Sequence, residues 1–158
     1  MNTNVLIVGS GCSGLYTALN LPQELQITII TKDTLENSDS FLAQGGICML
    51  KDDSDYESFF EDTLRAGHYK NDKVSVDLMI KSSPDVIEDL LDFGVDFQRD
   101  ENGNLVFTRE GAHSDKRILF YQDTTGKEIT SRLLAAVKKR PNIMLMEHTC
   151  LLDILVRR

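Results

Sequence analysis

The feature that most constrains this chain is the break in its first apolar run, VLIVGSGCSGLYTAL, at Gly9, Gly11 and Gly14. In such a turn the first glycine permits a tight bend, the second lets the backbone approach a pyrophosphate, and the third lets a helix pack closely on a strand. The first amides of that helix, over residues 11–13, are free to bind an anion. The turn therefore predicts a site for a phosphate-bearing cofactor, and the alternative is a tight turn that binds nothing.

The sequence on both sides of the glycines predicts a strand, a helix and a second strand. Apolar β-branched residues predict a strand buried on both faces over residues 4–9, and spacings of three and four predict a helix over residues 11–21. A second buried strand is predicted over residues 27–30. The unit closes within about thirty residues, as the dinucleotide-binding pattern requires, so we predict an α/β, Rossmann-like fold with a parallel sheet and helices.

The rest of the chain predicts a long loop and further helices and strands. A polar loop over residues 32–46 is too long for a simple connection and is predicted to be a functional segment. The remaining predicted elements are a helix over residues 55–69, two helices over 74–93 divided at Ser83-Pro84, a hairpin at Asn102-Gly103, a helix from residue 124 or 125 to 139, and strands over 143–147 and 151–156.

Charge and composition exclude several classes of function. Seventeen basic and 25 acidic residues give a net charge of -8, which disfavours nucleic acids and anionic membranes as partners. No apolar stretch is long enough to span a membrane. The three cysteines have no metal-ligand spacing and no signal peptide precedes the first strand, so we expect free thiols, no bound metal and a cytoplasmic location.

The tip of the second predicted strand leaves the choice of nucleotide open. An acidic residue that binds ribose is expected there, but the chain has Thr31 and Lys32, with Asp33 one residue farther. The missing acid weakens both the NAD and the ordinary FAD interpretation, whereas a lysine could meet phosphate or adenosine oxygens. An NAD-dependent dehydrogenase and a noncatalytic nucleotide-binding module complete in 158 residues remain alternatives.

Four segments carry a more specific resemblance: VLIVGSGCSG, SDSFLAQGGI, EDTLRAG and TREGAHSDKRILFYQDTTGKEI. They resemble the flavoproteins of the succinate dehydrogenase and fumarate reductase superfamily, and within it the L-aspartate oxidases, over essentially the whole chain. In that family the second strand typically ends in Ser/Thr-Lys, so the resemblance implies FAD. It also implies that residues 1–158 are the N-terminal part of the FAD-binding domain with the start of an inserted α+β capping region. We therefore expect a truncated chain that is inactive by itself.

The resemblance further assigns residues to the cofactor. It implies that residues 10–13 and Lys32 hold the adenine nucleotide half, that residues 39–46 run past the pyrophosphate and the flavin ring, and that residues 150–151 contact the adenosine side. A solvated loop and an ordinary strand edge are the alternatives for the last two segments. The expected cofactor-binding residues are Gly9, Ser10, Gly11, Cys12, Ser13, Gly14, Lys32, Asp39, Ser40, Phe41, Leu42, Ala43, Gln44, Gly45, Gly46, Cys150 and Leu151. Succinate dehydrogenases bond the flavin to a histidine where this chain has Asp39, so FAD is expected to be noncovalent.

The stretch TREGAHSDKR concentrates charged groups in an otherwise acidic chain, namely Arg109, Glu110, His113, Lys116 and Arg117. Clustered cations can receive a dicarboxylate, and a carboxylate among them can orient an ammonium group. Composition alone favours a surface ion pair of Glu110 with Arg109 or Arg117. The resemblance instead implies that Glu110 orients the substrate. Phe120 replaces a histidine that is frequent in aspartate oxidases, which leaves the role of that position open.

The reaction that the resemblance implies is oxidation of L-aspartate to iminoaspartate, the first step of de novo quinolinate and NAD biosynthesis. Hydride passes to the flavin, which oxygen or fumarate reoxidises, and quinolinate synthase is a downstream partner. The family's remaining substrate residues and its proton-handling arginine lie beyond residue 158. A fumarate reductase or succinate dehydrogenase with noncovalent FAD is the alternative within the superfamily. His68 and His148 are interpreted as surface or core residues.

Overall fold

The computed structural model describes residues 2–156 and divides the chain into two compact units. The first unit comprises Met1–Ala43 and Gly126–Arg158, and the second comprises Gln44–Thr125. In chain order the elements are β1 (Val5–Val8), α1 (Cys12–Asn20), β2 (Ile27–Ile30), α2 (Asp39–Leu42), β3 (Ile47–Cys48), α3 (Tyr56–Ala66), α4 (Lys73–Asp92), β4 (Ile118–Leu119), α5 (Thr125–Lys138) and β5 (Ile143–Met146). The assignment of residues 1–158 to a single flavin-binding domain stays a prediction.

The first unit contains a parallel three-stranded sheet in the order β1-β2-β5. Val5 lies opposite Ile27, which in turn lies opposite Ile143. Parallel neighbours need a crossover connection, and α1 supplies the one between β1 and β2. The strand-helix-strand unit, the parallel sheet and the strand near residue 143 are therefore confirmed.

The two outer strands are less covered than β2, whose four residues are all buried. In β1, Leu6 and Val8 are 47% and 56% exposed. The prediction that β1 is buried on both faces was therefore wrong. An apolar run predicts a strand, but the number of neighbours around that strand decides how many of its faces are covered.

The second unit packs α3 and α4 around a core that includes Phe59, Leu64, Val76 and Ile80. Beside these helices, β3 and β4 form a two-stranded antiparallel sheet. The unit thus combines helices with an antiparallel pair, the α+β character that the resemblance implied for the start of a capping region.

The helix α4 is continuous through Pro84, so the predicted division into two helices was wrong. A proline removes one backbone donor from a helix, and this loss is tolerated when packing on both sides holds the helix together. Ile80 and Ile87 are buried on either side of Pro84. Ser83 also fastens this region, since its hydroxyl donates to the carbonyl of Ile80 at 2.7 Å and accepts from the amide of Leu50 at 2.9 Å.

The last predicted strand was also wrong, because residues 151–156 have no regular secondary structure and are exposed. A strand is stable only against a partner, and no strand pairs with this segment within residues 2–156. The hairpin is confirmed: Arg99 and Leu105 form an antiparallel bridge around a turn in which Gly103 has a φ of +84°. None of the helices among the described residues has the length and apolar character that crossing a membrane demands.

Candidate functional site

A cavity of about 490 Å³ opens in the first unit where β1 and β2 end and α1 begins. Four segments line it: the turn after β1, the tip of β2, residues 37–40, and residues 149–151. Of the residues that the sequence assigned to a cofactor, the lining includes Gly9, Ser10, Gly11, Lys32, Asp39, Ser40, Cys150 and Leu151. Residues 149–151 thus meet three segments from the first forty residues of the chain at one cavity.

Two positions of the turn require glycine, each for a different structural reason. Gly9 has a φ of +114°, a backbone conformation that residues other than glycine rarely adopt. A β-carbon at Gly14 would overlap the carbonyl oxygen of Gly9 and would come within 3.2 Å of the Ile7 side chain. Gly14 does not line the cavity, and it serves the close packing of α1 on β1 that the motif predicts.

One amide at the start of α1 points at a neighbouring hydroxyl oxygen. Gly11 is the N-cap, and the amide of Cys12 donates to the Ser40 hydroxyl at 3.1 Å. A β-carbon at Gly11 would lie only 3.0 Å from that hydroxyl. Ser13 is exposed in the first turn, whereas burial raises the pKa of the Cys12 thiol and keeps it uncharged at neutral pH. The site therefore offers main-chain donors at the positive end of a helix.

Ser10 lines the cavity but uses its hydroxyl elsewhere. It is 2% exposed, and its hydroxyl donates to the carbonyl of Leu35 at 2.9 Å. The amide of Leu35 in turn donates to the Glu147 carboxylate at 2.8 Å. Neither Leu35 nor Glu147 was predicted from the sequence, although a polar residue just past the end of a parallel strand, like Glu147, is a recognisable signal of a site. Together they fasten the loop after β2 beside the glycine turn.

The tip of β2 presents a cation to the cavity rather than a carboxylate. Lys32 is exposed there, whereas the Asp33 carboxylate accepts from the amide of Thr34 at 2.7 Å and from the side chain of Asn37 at 2.5 Å. These two hydrogen bonds hold the pKa of Asp33 below its ordinary value. Asp33 therefore caps its own loop and is not among the residues that line the cavity.

The segment after β5 is held beside the tip of β2 by backbone hydrogen bonds. The amide of Thr149 donates to the carbonyl of Thr31 at 2.8 Å, which places the following residues, Cys150 and Leu151, in the lining. His148, just before them, has a φ of 50°, so the chain turns sharply at the end of β5. Thr149 was not predicted as a site residue, because an isolated threonine carries no sequence pattern.

The loop over residues 32–46 contains one helical turn, α2, that was not predicted. The Ser38 hydroxyl caps it by accepting from the amide of Phe41 at 3.2 Å. The amide of Gly126 donates to the carbonyl of Ala43 at 3.0 Å, and a β-carbon at Gly126 would overlap the carbonyl oxygen of Ser40. Gly126 was missed, and its close approach to the loop explains why a glycine opens α5. Phe41, Leu42 and Ala43 do not line the cavity.

In the second unit, Gly45 and Gly46 lie against Glu110. The Glu110 carboxylate accepts from the amide of Gly46 at 3.3 Å. A β-carbon at Gly45 would stand 3.7 Å from the same carboxylate, in ordinary contact, whereas one at Gly46 would overlap the carbonyl oxygen of Leu119. Gly46 is thus required by packing on β4, and Gln44 is exposed. The structure brings together two of the segments that the sequence assigned to the flavin ring and to the substrate.

The basic cluster is only partly available to a ligand. Arg117 is fully buried, and its guanidinium pairs with Asp55 at 2.7 Å and with Asp62 at 2.8 Å. The expectation that Arg117 belongs to a set of cations open to a dicarboxylate was therefore wrong, because two carboxylates already neutralise it. Arg109 and Lys116 are exposed.

His113 is joined to the same buried network. Its Nδ1 lies 3.0 Å from Nη1 of Arg117. Burial lowers the pKa of His113, and the charge of Arg117 lowers it further, so the imidazole is neutral at pH 7. Within residues 2–156 no cluster of three or more histidine, cysteine or acidic side chains is placed to hold a metal, and Cys12, Cys48 and Cys150 are free.

Comparison with known proteins gives a consistent result. Residues 4–158 match the family model described as FAD binding domain. The chain is 46% identical over 151 residues to an L-aspartate oxidase of Clostridium perfringens, covering 96% of this chain and 34% of that protein. It is 43% identical over 155 residues to an L-aspartate oxidase of Clostridium acetobutylicum, covering 98% and 36%. The chain thus spans about a third of the length of these relatives.

Solved structures share the fold. A quinol-fumarate reductase with menaquinol molecules superposes with a TM-score of 0.91 at 27% identity, covering 99% of this chain and 28% of that one. A quinol fumarate reductase of E. coli gives 0.88 at 25% identity, covering 94% and 26%. The two compact units of the chain therefore have counterparts in fumarate reductase flavoproteins.

Proposed function

This chain belongs to the FAD binding domain family, so its cofactor is FAD, and we propose that it is the FAD-binding part of an L-aspartate oxidase. The proposed reaction is oxidation of L-aspartate to iminoaspartate on the route to quinolinate, with oxygen or fumarate as electron acceptor. Relatives that are 39–46% identical over nearly the whole chain bear the name L-aspartate oxidase, which supports this substrate.

The observation that carries the proposal is the cavity at the start of α1, with a volume of about 490 Å³. A diphosphate needs main-chain donors and a positive potential, and both are found where Gly11 caps the helix. The Cys12 amide already holds a hydroxyl oxygen at 3.1 Å, so its reach suits an oxygen ligand. Residues 9–13 and Ser40 are proposed to hold the diphosphate, and Lys32 with residues 149–151 the adenosine side.

Bound FAD supplies the hydride acceptor, and the protein supplies binding and orientation. Glu110 is proposed to orient the ammonium group of aspartate, because a carboxylate is the natural partner of that cation. Its hydrogen bond from the Gly46 amide holds the side chain at a defined place. Asp39 stands where covalent flavoproteins of the superfamily have a histidine, so FAD is proposed to be held without a covalent bond.

A titration of the chain with FAD and with NAD, followed by flavin fluorescence and by competition, tests the cofactor site. We expect FAD to bind and NAD not to compete. Acid precipitation should then release all the flavin into the supernatant. Tighter binding of NAD, or the absence of any FAD binding, would contradict the proposed site, and flavin that stays with the precipitate would contradict noncovalent attachment.

The substrate is tested by anaerobic bleaching of the flavin absorbance with L-aspartate or with succinate, in a protein extended to the length of the L-aspartate oxidase relatives, because this chain spans only about a third of them. Bleaching by aspartate and recovery with oxygen or fumarate are expected for the oxidase. The TM-score of 0.91 to a quinol-fumarate reductase supports the second candidate, a fumarate reductase with noncovalent FAD. That candidate predicts bleaching by succinate and none by aspartate. Bound flavin that neither compound bleaches would favour a noncatalytic module.

A further inference from the structure

Asp62 of α3 is the most heavily bonded carboxylate of the buried network in the second unit. It is 2% exposed, and one of its oxygens accepts from the amide and the hydroxyl of Ser114 at 2.6 and 2.8 Å and from Arg117 at 2.8 Å. Its other oxygen accepts from Arg65 at 2.6 Å. A carboxylate with four donors has one well-defined orientation, so Asp62 fixes the groups that bond to it.

Arg117 completes this network on its other side. Its Nη2 donates to Asp55 at 2.7 Å and to the Ser58 hydroxyl at 2.5 Å, and its guanidinium lies 4.9 Å from the centre of the Phe59 ring. Charges removed from water are tolerated only when each is paired and hydrogen-bonded, and here every arm of the guanidinium has a partner. The side chain is therefore held in one position.

The same groups hold the turn that carries Glu110. Arg65 donates to the carbonyl of Ala112 at 3.1 Å, and Arg117 lies 3.0 Å from Nδ1 of His113. The amide of His113 in turn donates to the carbonyl of Glu110 at 3.3 Å. Because an arginine can only donate, Nδ1 of His113 accepts and the ring proton stands on Nε2. With the two bonds from Ser114, residues 110–114 are tied to α3 at several points.

Arg117 also restrains the segment that carries the Gly46 amide, the group that donates to Glu110. Its carbonyl accepts from the amide of Met49 at 2.9 Å, next to the pairing of Cys48 with Ile118. This pairing holds the start of β3, where Gly46 packs on β4 and donates to Glu110. The side chain of Arg117 thus restrains the turn, and its backbone restrains the strand that meets the turn.

We propose that Asp62 and Arg117 are positioning residues that set where the Glu110 carboxylate stands. Both side chains are buried, and their effect passes through the 110–114 turn and β3. The importance of this positioning for the reaction rests on the proposed role of Glu110. The contacts of Asp62 and Arg117 themselves do not involve FAD. The positioning can therefore be tested on the chain without cofactor.

Amide hydrogen exchange of Gly46, measured by NMR, reports the bond to Glu110. Glu110→Ala removes the acceptor and sets the rate for an unbonded Gly46. We expect Asp62→Asn to speed exchange at Gly46 by about tenfold, the effect of losing one hydrogen bond. Asp77→Asn breaks a surface ion pair with Lys81 at 2.8 Å and is the matched control, expected to leave Gly46 unchanged.

A milder variant keeps the test decisive where Asp62→Asn does not fold. The Arg65 side chain is 53% exposed, so Arg65→Met removes its bond to Ala112 and leaves Asp62 paired with Arg117. We expect roughly twofold to tenfold faster exchange at Gly46, with partial rescue in Arg65→Lys. A merely structural role would instead speed exchange equally across α3 and α4.

The inference would be overturned if amide exchange at Gly46 were unchanged in Asp62→Asn or, where that variant does not fold, in Arg65→Met. It would also be overturned if exchange rose uniformly across the second unit. An FAD titration of the same proteins separates this result from the proposed function. If FAD does not bind but Gly46 responds as expected, the proposed function fails and the positioning role stands. If FAD binds and Gly46 does not respond, the reverse holds.

Discussion

The hydroxyl of Ser40 accepts a hydrogen bond from the amide of Cys12 at 3.1 Å, although 28 residues separate them in the sequence. This bond joins α2 to the first turn of α1 at the mouth of the cavity. Because the hydroxyl oxygen accepts from Cys12, its proton is free to be donated to an anion that enters. The pair therefore forms a donor site in which a side chain extends the reach of the helix terminus.

Ser40→Ala is expected to weaken FAD binding by about tenfold, because one donor to the diphosphate is lost. A fluorescence titration of the variant and the parent chain measures the change. Ser40→Thr keeps the hydroxyl and should retain most of the affinity. Ser54→Ala, which alters a hydroxyl in the second unit, is the matched control. Tighter binding in Ser40→Ala would show that the hydroxyl competes with phosphate instead of assisting it.

Gly14→Ala is expected to destabilise the first unit by about 1–3 kcal/mol, since a β-carbon there overlaps the carbonyl oxygen of Gly9. The strained turn should bind FAD more weakly as well. Urea unfolding gives the free energy, and the flavin titration gives the affinity. Gly45→Ala adds a methyl group where the nearest atom is 3.7 Å away, so it serves as the control and should unfold like the parent chain.

The predictable part of the fold is the part encoded locally. The three glycines, the apolar run before them and the spacing of Leu15, Ala18 and Leu19 each lie within one turn or one strand, and they correctly predicted β1 and α1. The exposure of Leu6 and the unpaired segment over 151–156 depend on how many strands surround them. A local pattern carries no information on that number.

The candidate site divides in the same way. The lining by Gly9, Gly11 and Lys32 follows from a motif and its spacing, and the sequence predicted it. The burial of Arg117 was missed, because composition reveals a cluster of charges but not the two carboxylates that lie 55 and 62 residues earlier in the chain. Such long-range pairing is set by the packing of α3, which no residue of the TREGAHSDKR stretch specifies.

Alkylation of the three cysteines tests whether the cavity is the cofactor site. Cys150 is exposed and lines the cavity, whereas burial raises the pKa of both Cys12 and Cys48 and slows their reaction. Iodoacetamide should therefore modify Cys150 first, as mass spectrometry of the digested protein would reveal. Saturating FAD is expected to protect Cys150 and to leave the slow reaction of Cys48 unchanged. Equal labelling of Cys150 with and without FAD would contradict the assignment.

Arg117→Met is expected to destabilise the second unit by about 3–5 kcal/mol, because it leaves Asp55 and Asp62 buried without their partner. Lys81→Met breaks an exposed ion pair and should leave the free energy of unfolding close to that of the parent chain. Urea unfolding followed by circular dichroism compares the two variants. Equal losses in both would mean that the buried network contributes no more than a surface pair.

The lowered pKa of His113 makes the stability of the fold depend on pH. Burial lowers this pKa most, the charge of Arg117 lowers it further, and the carboxylates of Asp62 and Asp55 act in the opposite direction. An unfolded histidine titrates near about 6.5, so just below that pH the unfolded chain binds a proton that the folded chain does not. The free energy of unfolding should therefore be fully present above about pH 6.5 and fall as the pH drops toward the lower pKa of the folded state.

His113→Asn tests this dependence directly. The asparagine oxygen can accept from Arg117 as Nδ1 does, but it does not titrate, so the variant should lose less stability than the parent between about pH 7.5 and 5.5. His68→Asn, at an exposed position two residues past the end of α3, is the matched control and should behave like the parent. Asp62 does not confound the interval: burial alone would raise its pKa, but the bonds from Ser114 and Arg117 outweigh burial and lower it, so its loss of stability belongs to more acidic solutions. If the free energy of unfolding changed equally with pH in the parent and in His113→Asn, the network around Arg117 would not be keeping His113 neutral.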